Sequence, residues 1–195
     1  MAAPFTEKEK ESVKKALKQA ASDCISTVGM RGATVDRLAK SAGISKGAFY
    51  EFYDTKELLF FEVLEDWHGA LYRAAMDVLT NRTDLGAPER AAAAIMRVCD
   101  ILQKHSLMTF VENDLPLLLR KIPTEVLDQH YHSDDVHIGD IIRKSGLRLK
   151  QPPEVASAAV RAIFLSLQNR SQIGECFPTV LELMVRGICD RLVDS

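Results

Sequence analysis

The chain has 195 residues, enough for one or two domains with a sizeable core, and its 47% apolar and 27% charged content is that of a globular chain rather than a disordered or fibrous one. No window approaches the roughly 18 consecutive apolar residues of a membrane span, and the N-terminus lacks a basic-then-apolar export pattern, so the cytoplasm is the expected compartment. A net charge of −2 argues against a uniformly basic nucleic-acid binder, yet residues 1–56 carry ten Lys or Arg against seven Asp or Glu, while residues 57–195 carry fifteen against twenty.

The pattern from the N-terminus is helical. Thr6 and Glu9 have the S/T-x-x-E spacing of a capping box. Val13, Ala16, Leu17, Ala20, Ala21, Cys24, Ile25 and Val28 then keep the helical apolar period, which predicts a helix over about 7–28 ending at Gly29. Lys8, Lys14, Lys15 and Lys18 lie on its other side, where a solvated charged face is the plain reading and contact with phosphates the functional one.

The stretch from Thr34 to Leu59 holds the clearest signal. Val35, Leu38, Ala39 and Ala42 form an apolar stripe, and Thr34 is positioned as an N-cap. Gly43 follows where a residue able to take positive φ can end a helix. Ile44 anchors the turn, and Ser45 offers a hydroxyl to the next helix, Lys46 to Phe52. Two short helices about a tight glycine turn form a helix-turn-helix, whose second helix enters a DNA major groove. On that reading Lys46, Gly47 and Ala48 make up the turn that meets base edges, with Lys46 suited to guanine and Gly47 allowing close backbone approach. The hydroxyl and amides at Thr34 suit a phosphate, and Phe49 is expected to be core.

Asp54 and Glu57 repeat the capping spacing and open a helix to about Leu79, with Leu58, Phe61, Leu64, Trp67, His68, Leu71, Tyr72 and Ala75 in period. At 1.5 Å per residue it would run roughly 37 Å. Residues 81–88 form a polar Gly/Pro break. Further helices are predicted from Pro88 to about Lys104, from Leu107 to Asn113, and from Thr124 to Gly146, with irregular or short helical structure over 114–123. Two more close the chain, Pro153 to Gln168 and about Glu175 to Val193. No stretch alternates as a strand would. The expected fold is all-α with about nine helices: a three-helix DNA-binding domain over 1–54, and a helical domain over 55–195.

The residues quoted from Thr34 onward carry a resemblance. Thr34, Leu38, Ala39, Gly43, Ile44, Ser45, Gly47, Phe49, Tyr50, Tyr53, Lys56, Glu57 and Leu58 resemble, without a gap, the DNA-binding signature of the tetracycline-repressor (TetR) family of bacterial transcriptional regulators. The resemblance implies DNA contacts at Thr34, Ser45, Lys46, Gly47, Ala48, Tyr50 and Lys56, with Tyr50 at phosphate or sugar and Lys56 clamping phosphate. Glu51 and Phe52 depart from the family's common residues, so no contact is carried over to them. The family also implies a homodimer, built from the last two helices of each subunit, that binds a palindromic operator as a repressor and is released by a small molecule. Ala158, Ala162, Leu165, Leu181, Met184 and Ile188 are the candidate interface residues, and Trp67, Tyr72, Met108, Phe110 and Leu118 the candidate pocket lining. No cofactor is implied.

Two features stand apart. The segment HYHSDDVHIGD places His130, His132, Asp134, His137 and Asp140 at helical metal-ligand spacings, which is the enzyme alternative; it lacks HExxH, and no GxSxG, phosphate loop or Rossmann fingerprint occurs elsewhere. A ligand-independent DNA-bound adaptor is the other alternative. The four cysteines form no CxxC pair, which argues against a disulfide framework or a structural zinc site. Cys24, Cys99 and Cys189 read as buried thiols, with Cys176, nearest a loop, as the candidate redox thiol.

Overall fold

The sequence's helical periods are realised as twelve helices among the described residues, 5–103 and 106–195, of a computed structural model. In chain order they are α1 (Glu7–Thr27), α2 (Gly29–Gly32), α3 (Val35–Ser41), α4 (Lys46–Phe49), α5 (Lys56–Asn81) and α6 (Ala87–Leu102). After these come α7 (Ser106–Asn113), α8 (Leu115–Leu119), α9 (Thr124–Ser145), α10 (Pro153–Leu167), α11 (Arg170–Ile173) and α12 (Phe177–Leu192). The all-α expectation holds. The three helices beyond the expected nine are α2, α8 and α11, each of four or five residues and so too short to show an apolar period. Among the described residues, the one β-type pairing is an isolated bridge, Leu149 to Val193. No helix among the described residues is long and apolar enough to cross a membrane.

Local chemistry explains the helix ends. Thr6 and Glu9 form the capping box in full. The α3 terminus is a Schellman turn: Gly43 takes φ 74°, its N–H donates to the Lys40 carbonyl, and the Ile44 N–H donates to the Ala39 carbonyl. The cap of α5 differs from expectation. Thr55, not Asp54, precedes the helix, and its Oγ1 accepts the Leu58 N–H at 3.2 Å. Asp and Thr are both good caps, and the backbone register favours the residue next to Lys56.

Two compact units divide the chain, one of residues 1–67 with 105–122 and the other of 68–104 with 123–195. The first holds α1 to α4, the opening turns of α5, and α7 and α8. Leu17, Ala21, Leu38, Phe49, Leu59, Phe60, Phe110 and Leu118 are among its fully buried side chains at 0–1% exposure, and Trp67 packs edge-on to Phe110 at 5.6 Å. In the second unit α12 packs chiefly on α6, and α10 packs on α9 and α12. Ile163, Leu167, Leu181 and Val185 fill its core. Arg161 of α10 reaches α9 twice, by an ion pair to Asp135 at 3.3 Å and by lying over the Tyr131 ring at 4.9 Å.

The cysteines follow this packing. Cys24, Cys99 and Cys189 are buried and Cys176 is exposed. Burial pushes the Cys99 thiol up to about 12 and Cys189 to about 11, each with a smaller contribution from the following aspartate. Native protein at pH 8 is therefore expected to show one thiol reactive toward a disulfide reagent, and four after denaturation. A Cys176→Ser variant that still titrates one fast thiol would contradict this assignment.

Candidate nucleic-acid interface

The helix-turn-helix is assembled from short-range bonds. Thr34 Oγ1 accepts the Arg37 N–H at 3.2 Å and starts α3; Ser45 Oγ accepts the Ala48 N–H at 3.1 Å and starts α4. Both hydroxyls act there as acceptors, which leaves their O–H groups to donate outward. Phe49 is the single buried side chain of α4, at 0% exposure, and fixes the helix to the core. Its ring meets Tyr50 edge-on at 5.5 Å and Tyr53 at 6.0 Å.

Outward from Phe49, α4 presents an open face. Lys46, Gly47 and Tyr50 are exposed, and Ala48 is half-buried. The Lys46 ammonium pairs with Asp36 of α3 at 2.8 Å, and that hydrogen bond holds its pKa above the ordinary value. Both partners are well exposed, so the pair is weak and leaves two N–H donors. A Cβ placed on Gly47 would meet only Ser45 Oγ at 3.8 Å, an ordinary contact, so the fold itself does not require glycine there. Gly43 is the opposite case: nothing lies near its Cβ position, but its positive φ favours glycine.

Lys56 faces inward. Its Nζ donates to the carbonyl oxygens of Met30 at 3.0 Å and Ala33 at 2.6 Å, fastening α5 to the segment before α3. Phe52 rests against Phe5, ring centres 5.4 Å apart, so a local apolar contact occupies a residue at which no DNA contact was expected. On α1, Lys18 bridges Glu62 at 3.4 Å and Asp66 at 2.7 Å, and Lys14 lies 5.8 Å from the Tyr53 ring centre. The Tyr53 hydroxyl donates to Glu62 at 2.7 Å; burial first, then this carboxylate, push the phenol well above its ordinary range.

Behind this head, α7 and α8 are held by buried polar groups that the sequence pattern did not reveal. Asp114, 5% exposed, accepts the Met30 N–H at 2.8 Å and lies 3.4 Å from Arg31. Lys121 pairs with buried Glu57 at 2.7 Å. Burial is the largest single influence on Glu57 and opposes its charge, but the Lys121 hydrogen bond, a backbone hydrogen bond and the nearby Lys121 and Lys56 charges together hold the carboxyl below its usual range. An open cleft of about 310 Å³ lies beside Asp114, lined by Ile25, Val28, Thr109, Phe110 and Asn113 among others. Of the expected pocket residues, Phe110 borders this cleft, whereas Met108 and Leu118 are buried at 1% and 0% in the same unit. Trp67 belongs to this unit too; Tyr72 belongs to the other, stacked on His137 at 5.0 Å.

The expected interface residues also separate. Ala158, Ala162 and Leu165 lie exposed along one side of α10 with Val155, and Leu165 is 51% exposed. On α12, Met184 and Ile188 are half-buried beside Leu183 at 67% exposure, while Leu181, at 1%, is buried within its own chain. Among the described residues, the run from His130 to Asp140 does not gather into the metal set its spacing allowed. His130 turns inward to stack on His68 at 4.9 Å, His132 is exposed, the His137 Nδ1–H donates to the Ser133 carbonyl at 2.7 Å, and Asp140 pairs with Arg143 and Lys144. The Asp134 side chain lies outside the described residues.

Comparison with known proteins agrees with this geometry. Residues 17–63 match the profile described as bacterial regulatory proteins, tetR family. No curated protein matches the sequence. Among solved structures, RolR in complex with resorcinol is similar at 16% identity and TM-score 0.63, covering 97% of this chain and 99% of that one. A tetR-family transcriptional regulator from Pectobacterium atrosepticum aligns over 94% of each chain at 17% identity and TM-score 0.65. The regulator FadR from Bacillus subtilis, in complex with stearoyl-CoA, covers 89% of this chain and 98% of its own at 19% identity and TM-score 0.55. The chain thus carries the segment typical of tetR-family regulatory proteins over residues 17–63 and shares the fold of such regulators along nearly its whole length.

Proposed function

We propose that this DNA-binding regulator acts in the cytoplasm as a homodimeric repressor, reading a palindromic operator and released from it by a small molecule. Residues 1–54 form the reading head and 55–195 the effector and dimerisation domain. The observation that carries the reading is the open first turn of α4: Lys46 and Gly47 are exposed beside half-buried Ala48, and the one buried side chain of the helix is Phe49. Lys46 reads a base edge, Gly47 admits the DNA, and Thr34, Ser45 and Tyr50 take phosphates. Lys56 acts by holding the Met30–Ala33 segment in register, with its one remaining N–H available to a phosphate.

Gly47 gives the sharpest test. Gly47→Ala is expected to fold at least as stably as wild type, by about 0.5–1 kcal/mol from helix propensity, yet to lose operator affinity because the added methyl faces the DNA. Lys46→Ala should lower affinity by about 1–3 kcal/mol with relaxed specificity, and Tyr50→Phe should weaken binding with its salt slope unchanged, because no cationic phosphate contact is lost. Fluorescence anisotropy on DNA from a random-sequence selection, at several salt concentrations, measures all three. Unchanged affinity in both Gly47→Ala and Lys46→Ala would remove α4 as the reading helix.

Dimerisation is supported by the exposed apolar stripe Val155, Ala158, Ala162 and Leu165, beside Leu183 on α12. Leu165→Glu is expected to give a folded monomer by light scattering, with DNA affinity reduced to the nonspecific level. A dimer that persists unchanged would move the interface elsewhere. For the effector, the similar structures hold molecules as different as resorcinol and stearoyl-CoA. A small-molecule ligand is thus the shared element, and an effector screen on the anisotropy assay identifies its class.

A further inference from the structure

The second unit contains a histidine pair that neither the DNA reading nor the dimer uses. His68 of α5 and His130 of α9 stack with ring centres 4.9 Å apart and planes 30° from parallel, and their ligand nitrogens lie within 4.8 Å of one another. His130 is 6% exposed and His68 half-buried, so the pair is held in place rather than displayed on a surface. Tyr72, one turn beyond His68 on α5, lies edge-on to the His68 ring at 6.3 Å. Tyr72 is itself stacked on His137 with the two planes only 8° apart, so the walls of the pair are aromatic. Glu65 stands three residues before His68 on the same helix, a spacing that puts carboxylate and imidazole on one face.

We propose that His68 and His130 hold a first-row divalent transition metal of the zinc class, with Glu65 as the third protein ligand. Two imidazoles and one carboxylate form a three-ligand set that leaves a fourth position to water or an exogenous donor. Imidazole donors favour zinc, copper and nickel over magnesium or calcium. Two nitrogens each about 2.0–2.1 Å from one tetrahedral ion are roughly 3.3 Å apart, so side-chain rotation of the order of 1 Å closes the pair on the metal. His68 and His130 come from two helices about sixty positions apart in sequence, and their binding would cross-link that part of α5 to α9 within this unit. The site stands independently of the operator reading.

The test is calorimetric titration of Zn²⁺ into metal-free full-length protein, with no DNA present. One ion per chain is expected, with a rise in melting temperature on zinc addition. His68→Gln and His130→Gln should each weaken binding by about 100-fold or more and Glu65→Gln by about tenfold, on the scale at which even supporting residues cost 10–100-fold. His132→Gln, an exposed neighbour, should bind as wild type. Co²⁺ adds a direct readout: a tetrahedral site gives an intense visible band, which must vanish in His68→Gln while the circular dichroism spectrum is retained. Absence of saturable Zn²⁺ binding by wild type would overturn the proposal. So would undiminished binding by folded His68→Gln, because the metal would then sit elsewhere.

Discussion

Phe49→Ala is expected to destabilise the protein by about 3–5 kcal/mol, the range for truncating a fully buried aromatic, and to abolish specific DNA binding. A helix of four residues cannot support itself, because nucleation alone is unfavourable and only a few backbone bonds follow. Its one buried side chain is this ring at 0% exposure, packed with Tyr53 and met edge-on by Tyr50. Removing that ring takes away the transfer energy and leaves a cavity under the reading helix. Urea unfolding followed by circular dichroism, at one fixed protein concentration because dimerisation adds to apparent stability, measures the loss. Anisotropy on the operator measures the function. Paired with Gly47→Ala, the experiment separates two roles on one helix: residue 49 should govern folding and residue 47 only binding. A loss below about 1 kcal/mol at position 49 would mean that α4 is held by something other than its one anchor.

The second large effect is expected at Asp114. Asp114→Ala leaves the buried Met30 N–H without its acceptor, at a cost of about 1–3 kcal/mol, while the half of the contact made to the exposed Arg31 adds little. Since α7 and α8 are tied to the head through this carboxylate and through Lys121–Glu57, the Met30 amide should exchange with solvent much faster in the variant. Gly29 gives an internal check. It takes φ 70°, and a Cβ there would stand 2.8 Å from Asp114 Oδ2. Gly29→Ala should therefore cost about 1–2 kcal/mol of backbone strain together with a steric penalty. In the Asp114→Ala background only the strain remains, so the two losses should be less than additive. Strict additivity would show that the carboxylate does not crowd residue 29. The Lys121–Glu57 pair predicts the direction of acid sensitivity: a carboxyl held below its ordinary value stabilises the fold above that value, and the contribution fades as pH falls through the lowered one.

What could be read from the chain depended on how far apart the interacting groups lie. Helices nine or more residues long announced themselves through apolar period, and their ends through Thr6 with Glu9, Gly29, Thr34, Gly43 and Ser45. Each of those signals lives within one or two turns, where a side chain meets its own backbone. The four-residue α2 and α11 had no room for a period, and the cap of α5 moved one residue because two capping residues stood side by side. The helix-turn-helix was legible for the same reason, as its turn, caps and anchor fall within about twenty consecutive residues.

The rest was decided by tertiary structure. Asp114 opens the stretch read only as irregular or short helix, and only folding brings it to a buried amide 84 positions away. Lys56 read as a phosphate clamp, and only the fold supplies the two carbonyls that turn it inward. The histidines of 130–137 had helical metal spacing among themselves, yet His130 pairs with His68 because α9 buries the side that carries it and exposes His132. Leu165 and Leu181 were equivalent as apolar helix residues until packing left one half in solvent and enclosed the other. Composition and period thus determined by themselves an all-α chain with a DNA-reading head. Which polar groups are buried, and which apolar ones are left uncovered, depended on the packing of distant helices, since the contacts that enclose or expose such a side chain lie far from it in the sequence.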